Sequence, residues 1–206
     1  MKKSARITVW VLALIFCLAL FAAHGRVEAE SAQSLLKEKI SEVIAVLDSP
    51  DLSEADKTGR IEDIVDPVFD YELMARLSLG RRHWTGLSAE QQETFTRRFV
   101  ARLKDSYFDK ISMYSGDADA AFEYQPVKEQ NNKVHVPVAV RAGDETVDMV
   151  YKFYSARGDW KVYDVEINGV SIIRSYRSQF DQILADGTAE DLLEAVKEIQ
   201  APGENG

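Results

Sequence analysis

Apolar positions recur at helical spacing through the first half of the chain, alternate at strand spacing through the third quarter, and return to helical spacing near the end. Leu35, Leu36, Ile40, Val43, Ile44 and Leu47 form one stripe, which predicts a helix over Ser34 to Leu47 that stops before Asp48-Ser49-Pro50. A second helix is expected over Ser53 to Val65, with Ile61, Ile64 and Val65 buried and Asp66-Pro67 breaking it. The next segment carries Val68, Phe69, Leu73, Met74, Leu77 and Leu79, and Gly80 closes it. The clearest helix starts at Ser88, whose hydroxyl and the Gln91 side chain have capping-box spacing. Phe95, Phe99, Leu103, Tyr107, Ile111 and Tyr114 then repeat every three or four residues, with Val100 and Phe108 widening the stripe. Trp84, just ahead of it, is placed to pack on the helix entrance.

After Gly116 the period changes. Phe122 to Val127, Lys133 to Arg141, Thr146 to Ser155 and Trp160 to Ile167 read as strands joined by short turn sequences, Asn131-Asn132, Ala142-Gly143-Asp144 and Arg157-Gly158-Asp159. Connections this short predict an antiparallel meander. Val134, Val136, Val138 and Val140 share one face of their strand, and Val147, Met149, Tyr151 and Phe153 share one face of the next. Pro137 lacks an amide donor, which points to an edge strand or a bulge at that position. The last strand turns at Asn168-Gly169 into an amphipathic helix over Ser171 to Leu184, and a final helix over Thr188 to Ile199 follows Asp186-Gly187. Helices first, sheet second and helices last predict an α+β fold: a curved four-stranded antiparallel sheet packed against several helices and enclosing an apolar cavity.

The N-terminus changes the picture. Lys2, Lys3 and Arg6 precede a charge-free run from Ile7 to Ala23, and Val27-Glu28-Ala29 supplies a recognition sequence, so a signal peptide is expected over 1–29, a single domain over 30–200 and a flexible tail over 201–206. The apolar run is 17 residues long, at the lower edge for spanning a bilayer, so an uncleaved anchor stays open as the alternative. Cys17 reads as an ordinary apolar residue of that run, because Phe16 beside it is too bulky for a lipidation site and more apolar chain follows. The 177 residues after Ala29 contain no cysteine, which excludes disulfides, thiolate catalysis and cysteine-bound metal from them. Cleavage would remove four cations and one anion and move the formal charge from -9 to -12. So acidic a domain is a poor binder of nucleic acid, although a local basic patch is compatible with it.

Reaction chemistry is sparse. His83 and His135 lack metal-ligand spacing, and a zinc site would need both together with a carboxylate. Asp164 and Glu166 lie two apart on one strand face, as an acid-base pair would, but capping or a salt bridge to an arginine of the next helix accounts for them better, because nothing nearby resembles a nucleophile held by an oriented base. Ser171 lies in GVSII rather than in a nucleophile elbow, and there is no glycine-rich phosphate loop. These patterns predict a protein that is not an enzyme and needs no cofactor.

Two strings, LGRRHWTGLSAEQQETFTRRFVARLKDSY and WKVYDVEINGVSIIRSYRSQF, together resemble the MlaC family, also called toluene-tolerance auxiliary proteins. The resemblance runs from about Ser34 to Ile199, and the family's last-strand and helix motif matches Trp160, Asp164, Gly169, Ser171, Tyr176 and Arg177. Members are periplasmic carriers of phospholipid in Gram-negative bacteria. The resemblance therefore implies a periplasmic location and a role in outer-membrane lipid asymmetry. The implied partners are phospholipid, an inner-membrane lipid ABC transporter complex with its substrate-binding subunit, and an outer-membrane lipoprotein-porin complex; nucleic acid is not among them. It also implies acyl chains held between sheet and helices. By side-chain direction the candidate lining residues are Phe95, Phe99, Leu103, Val136, Val138, Met149, Tyr151, Phe153, Val165, Ile172 and Ile173. Arg81 and Arg82, or Arg174 and Arg177, are the candidates for a headgroup at the mouth. The competing readings are a carrier of another apolar lipid such as a hopanoid, an enzyme on a similar sheet with Asp164, Glu166 and His135 in one pocket, and an adaptor with a filled core.

Overall fold

The computed structural model describes residues 30–113, 121–130 and 132–199. The expected signal peptide, Cys17, Tyr114, Gly116 and the C-terminal tail lie outside the described residues, as do the side chains of Phe108 and Ile111. Helix α1 covers residues 30–47, followed by α2 (Glu54–Val65), α3 (Tyr71–Trp84) and α4 (Ala89–Met113). Strands β1 (Ala121–Tyr124), β2 (Lys128–Gln130), β3 (Lys133–Ala142), β4 (Glu145–Ala156), β5 (Asp159–Ile167) and β6 (Val170–Ser171) come next, then α5 (Ile172–Asp186) and α6 (Ala189–Ala195).

The helix starts are made by local side-chain caps. The Ser53 hydroxyl accepts from the Asp56 amide at 3.2 Å, and at α4 Ser88 and Gln91 satisfy each other's amides at 3.2 and 2.9 Å. Thr188 and Asp191 repeat the box at α6. Gly80 divides α3 with φ 72° and ψ 158°, a backbone conformation essentially confined to glycine, and the short helical piece after it carries Arg81, Arg82 and His83.

The sheet runs in the order β1-β3-β4-β5-β6, with β2 beside β3, and every strand pair is antiparallel. Three features depart from the four-strand expectation. The first expected strand is split into β1 and β2 around Gln125-Pro126-Val127, and both halves pair with β3. Pro137 faces that split: β1 ends at Tyr124 opposite Val138, β2 begins at Lys128 opposite His135, and the Pro137 carbonyl accepts from the Gln125 amide at 3.0 Å. Its strand is therefore interior rather than an edge, and the missing donor is accommodated by an interruption in the neighbouring strand. The free edge of β5 is covered at one end by β6 and at the other by residues 68–70, where the Val162 amide donates to the Val68 carbonyl at 2.8 Å.

Register separates the two faces. Val134, Val136, Val138, Val140, Met149, Tyr151, Phe153, Val162 and Val165 share the apolar face toward the helices. A bulge opposite Lys152/Phe153 inserts one extra residue into β5, so that Tyr163 turns to the polar face beside Tyr154, with ring centroids 6.1 Å apart. The sheet keeps open edges and does not curl shut around a clear cavity.

Candidate functional site

The eleven apolar candidates meet in one cluster between the helices and the sheet. Phe95, Phe99, Leu103, Val136, Val138, Phe153, Val165, Ile172 and Ile173 are buried. Phe95 and Phe99 stack at 5.9 Å, and they meet Phe180 and Tyr176 edge-on at 5.3 and 5.2 Å. This close aromatic packing joins α4 to α5, and Trp84 meets Phe95 edge-on at 6.4 Å as expected of a residue at the helix entrance.

Met149 and Tyr151 differ from the other nine. Both pack against the cluster yet stay partly exposed, as do Phe122, Tyr124 and Ile167, and Val147 on the same face is also only partly buried. The helix layer thus leaves an apolar strip across β1, β4 and β5 incompletely covered. Within that strip, burial, followed by the neighbouring Tyr124, pushes the Tyr151 phenol up to about 12. Its hydroxyl reaches the Met149 sulfur at 3.8 Å. Burial also raises the Tyr124 phenol, and the Lys37 ammonium lies 4.8 Å from that ring.

The polar face carries a charged network beside the start of α5. Asp164 is 5 % exposed and accepts from Lys152 Nζ at 2.9 Å, Ser171 Oγ at 2.8 Å and the Ile173 amide at 3.2 Å. Glu166 accepts from Lys152 Nζ at 2.5 Å and from Arg174 Nη2 at 3.0 Å. Burial works to raise the Glu166 carboxyl, but the hydrogen bond and charge of Lys152, with Arg174 and His135, hold it below the usual carboxylate value. Burial works to lower Lys152, and its two carboxylate partners raise it on balance. His135, on the same face, is lowered by burial and then by the Lys152 charge.

A pocket of about 370 Å³ opens over this network, with Leu77, Tyr163, Ile173, Arg174 and Arg177 as its remaining walls. Arg174 and Arg177 are therefore brought together on the polar side, whereas the exposed Arg81 and Arg82 do not line this pocket. Asp164 and Glu166 share it without His135, and both are committed to Lys152. Ser171 Oγ caps α5 by accepting from the Arg174 amide at 3.1 Å while donating to Asp164. His83 is partly buried, and its Nε2 lies 3.0 Å from Asp181 of α5. Among the described residues, no group of three or more His, Cys, Asp or Glu could hold a metal ion, and no helix is long and apolar enough to cross a membrane.

Lys152 and Tyr124 escaped the sequence reading. Lys152 alternates away from Tyr151 and Phe153, and the short β4–β5 turn places it opposite Asp164, so hairpin counting could have found it. Tyr124 sits in a strand too short and interrupted for its facing to be counted.

The chain is thus a helix layer over an apolar sheet face, beside a self-neutralising salt-bridge network. The chain belongs to the MlaC family: the family model, described as MlaC protein, matches residues 37–198. It is also similar to a solved structure described as the phospholipid-binding protein from Ralstonia solanacearum in complex with a phospholipid. That protein is 25% identical, with a TM-score of 0.71, over 81% of this chain and 95% of the other.

Proposed function

We propose that this chain is a periplasmic phospholipid carrier that takes acyl chains between its helix layer and the apolar face of its sheet. The observation that carries this reading is the half-covered strip around Met149 and Tyr151, in a fold shared with a protein solved with a phospholipid bound. The chains enter along that strip, and the sheet curves around them as the helices lift. Val136, Val138 and Val165 lie on the same face, while Phe95, Phe99, Leu103, Phe153, Ile172 and Ile173 form the packed wall that yields or holds as the space opens. Arg174 and Arg177, or Arg81 and Arg82, meet the headgroup phosphate.

The energetics suit a shuttle. A diacyl lipid with on the order of 30 chain carbons gains roughly 24 kcal/mol on leaving water, at about 0.8 kcal/mol per methylene. Release into water is prohibitive, whereas exchange between a pocket and a bilayer that bury the chains equally is near balance. Direction then comes from docking partners, an inner-membrane lipid ABC transporter complex and an outer-membrane lipoprotein-porin complex, in the service of outer-membrane lipid asymmetry. Residues 1–29 export the chain and are removed, leaving the domain over 30–200 and a short tail. No catalytic step is involved.

The test is transfer of labelled phospholipid between donor and acceptor vesicles by the mature protein. Catalytic amounts should accelerate exchange well above the spontaneous rate; an unchanged rate, with no lipid found on the protein, overturns the reading.

A further inference from the structure

Tyrosine hydroxyls are an unusual presence on a surface meant for hydrocarbon. Tyr124 and Tyr151 both stand on the apolar face, with Tyr124 in the row of Val138 and Met149, and Tyr151 in the next row with Val136 and Val165. The two phenols are near enough for Tyr124 to perturb Tyr151. Among the described residues the hydrogen-bond partner of the Tyr151 hydroxyl is the Met149 sulfur at 3.8 Å, and a thioether is a weak acceptor. No hydrogen bond joins the Tyr124 hydroxyl to another described residue. Pure hydrocarbon would leave these donors without a better partner, at a cost that phenylalanine in the same places would avoid.

We infer that Tyr151, with Tyr124 as a second donor, is a specificity determinant that hydrogen-bonds the ester carbonyls of a bound diacyl lipid. Those carbonyls sit at the junction of acyl chains and glycerol, so an otherwise apolar ligand brings acceptors into a strip that offers donors. The pair then fixes how deep the chains insert and favours acyl esters over hydrocarbon or sterol-like lipids that lack carbonyls. The inference rests on the carrier reading and deepens it.

The test compares two probes with identical phosphoethanolamine headgroups and chain lengths, one ester-linked and one ether-linked, by competition for the mature protein and lipid mass spectrometry. Wild-type protein should prefer the ester by about threefold to tenfold for one neutral hydrogen bond, and more if both carbonyls are engaged. Tyr151→Phe should bring the ratio down toward one, with Tyr124→Phe removing any remainder. The lipid-free stability of Tyr151→Phe should match or exceed wild type, because a weakly satisfied donor has gone. Equal binding of the two probes by wild type, which needs no variant, overturns the inference while leaving the carrier reading intact, and so does an undiminished preference in the Tyr124→Phe/Tyr151→Phe double variant. Binding of neither probe overturns both.

Discussion

Lys152→Met is the sharpest perturbation of the link between sheet and covering helix. Methionine retains much of the lysine stem while removing the charge that holds Asp164 and Glu166. The Lys152 side chain is 12 % exposed and the two carboxylates are 7 % and 20 % exposed, so solvent screening is limited. Removing one partner of so buried a cluster leaves like charges facing each other, which costs about 3–5 kcal/mol. For a domain of this size that lowers Tm by roughly 10 °C. Urea denaturation followed by circular dichroism should show a lower midpoint with an unchanged slope.

The pH dependence supplies a second reading of the same variant. In wild type the depressed Glu166 contributes stability that is present above its unfolded pKa and lost as pH falls through the depressed value. The raised Lys152 contributes stability that is present below its unfolded pKa and lost as pH rises through its raised value. At neutral pH both contributions are in force. In the variant, acidification protonates Glu166 and relieves the defect while it weakens wild type. The gap should therefore narrow between pH 7 and about pH 4, where free carboxyls begin to protonate. A gap below about 1 kcal/mol at pH 7, or one that does not change with pH, refutes the assignment of the network as a buried tie.

Gly80→Ala should destabilise by about 1–3 kcal/mol in the same assay, because φ 72° with ψ 158° strains any residue with a Cβ, and the new methyl would lie 2.9 Å from the Arg177 guanidinium. The acidic surface should keep the lipid-loaded protein off anionic vesicles; co-flotation without partner complexes should be weak at all salt concentrations, and strong salt-sensitive binding would contradict it.

Much of the fold was legible because its signals are local. The 3.6-residue stripes place α1, α2 and α4, and Ser53, Ser88, Ser171 and Thr188 cap the helices they were expected to start. Short turns fix β3, β4 and β5 as antiparallel neighbours. What escaped depends on register or on distant pairing. The bulge that turns Tyr163 outward is a relation between β4 and β5 rather than a pattern within either, and the Phe69 bridge to Val162 joins segments far apart in sequence. The candidate site was half legible for another reason: lining a lipid space and packing a core call for the same residue types. Alternation alone does not distinguish Phe153, fully buried, from Tyr151, which shares its face and keeps accessible surface.

Native mass spectrometry of the mature protein, paired with lipid extraction, tests the carrier reading most directly. Protein purified from a Gram-negative periplasm should carry phospholipid in stoichiometric amount, released on unfolding and identified by its fragments. Protein that is uniformly empty, and that stays empty after incubation with phospholipid vesicles, would contradict it.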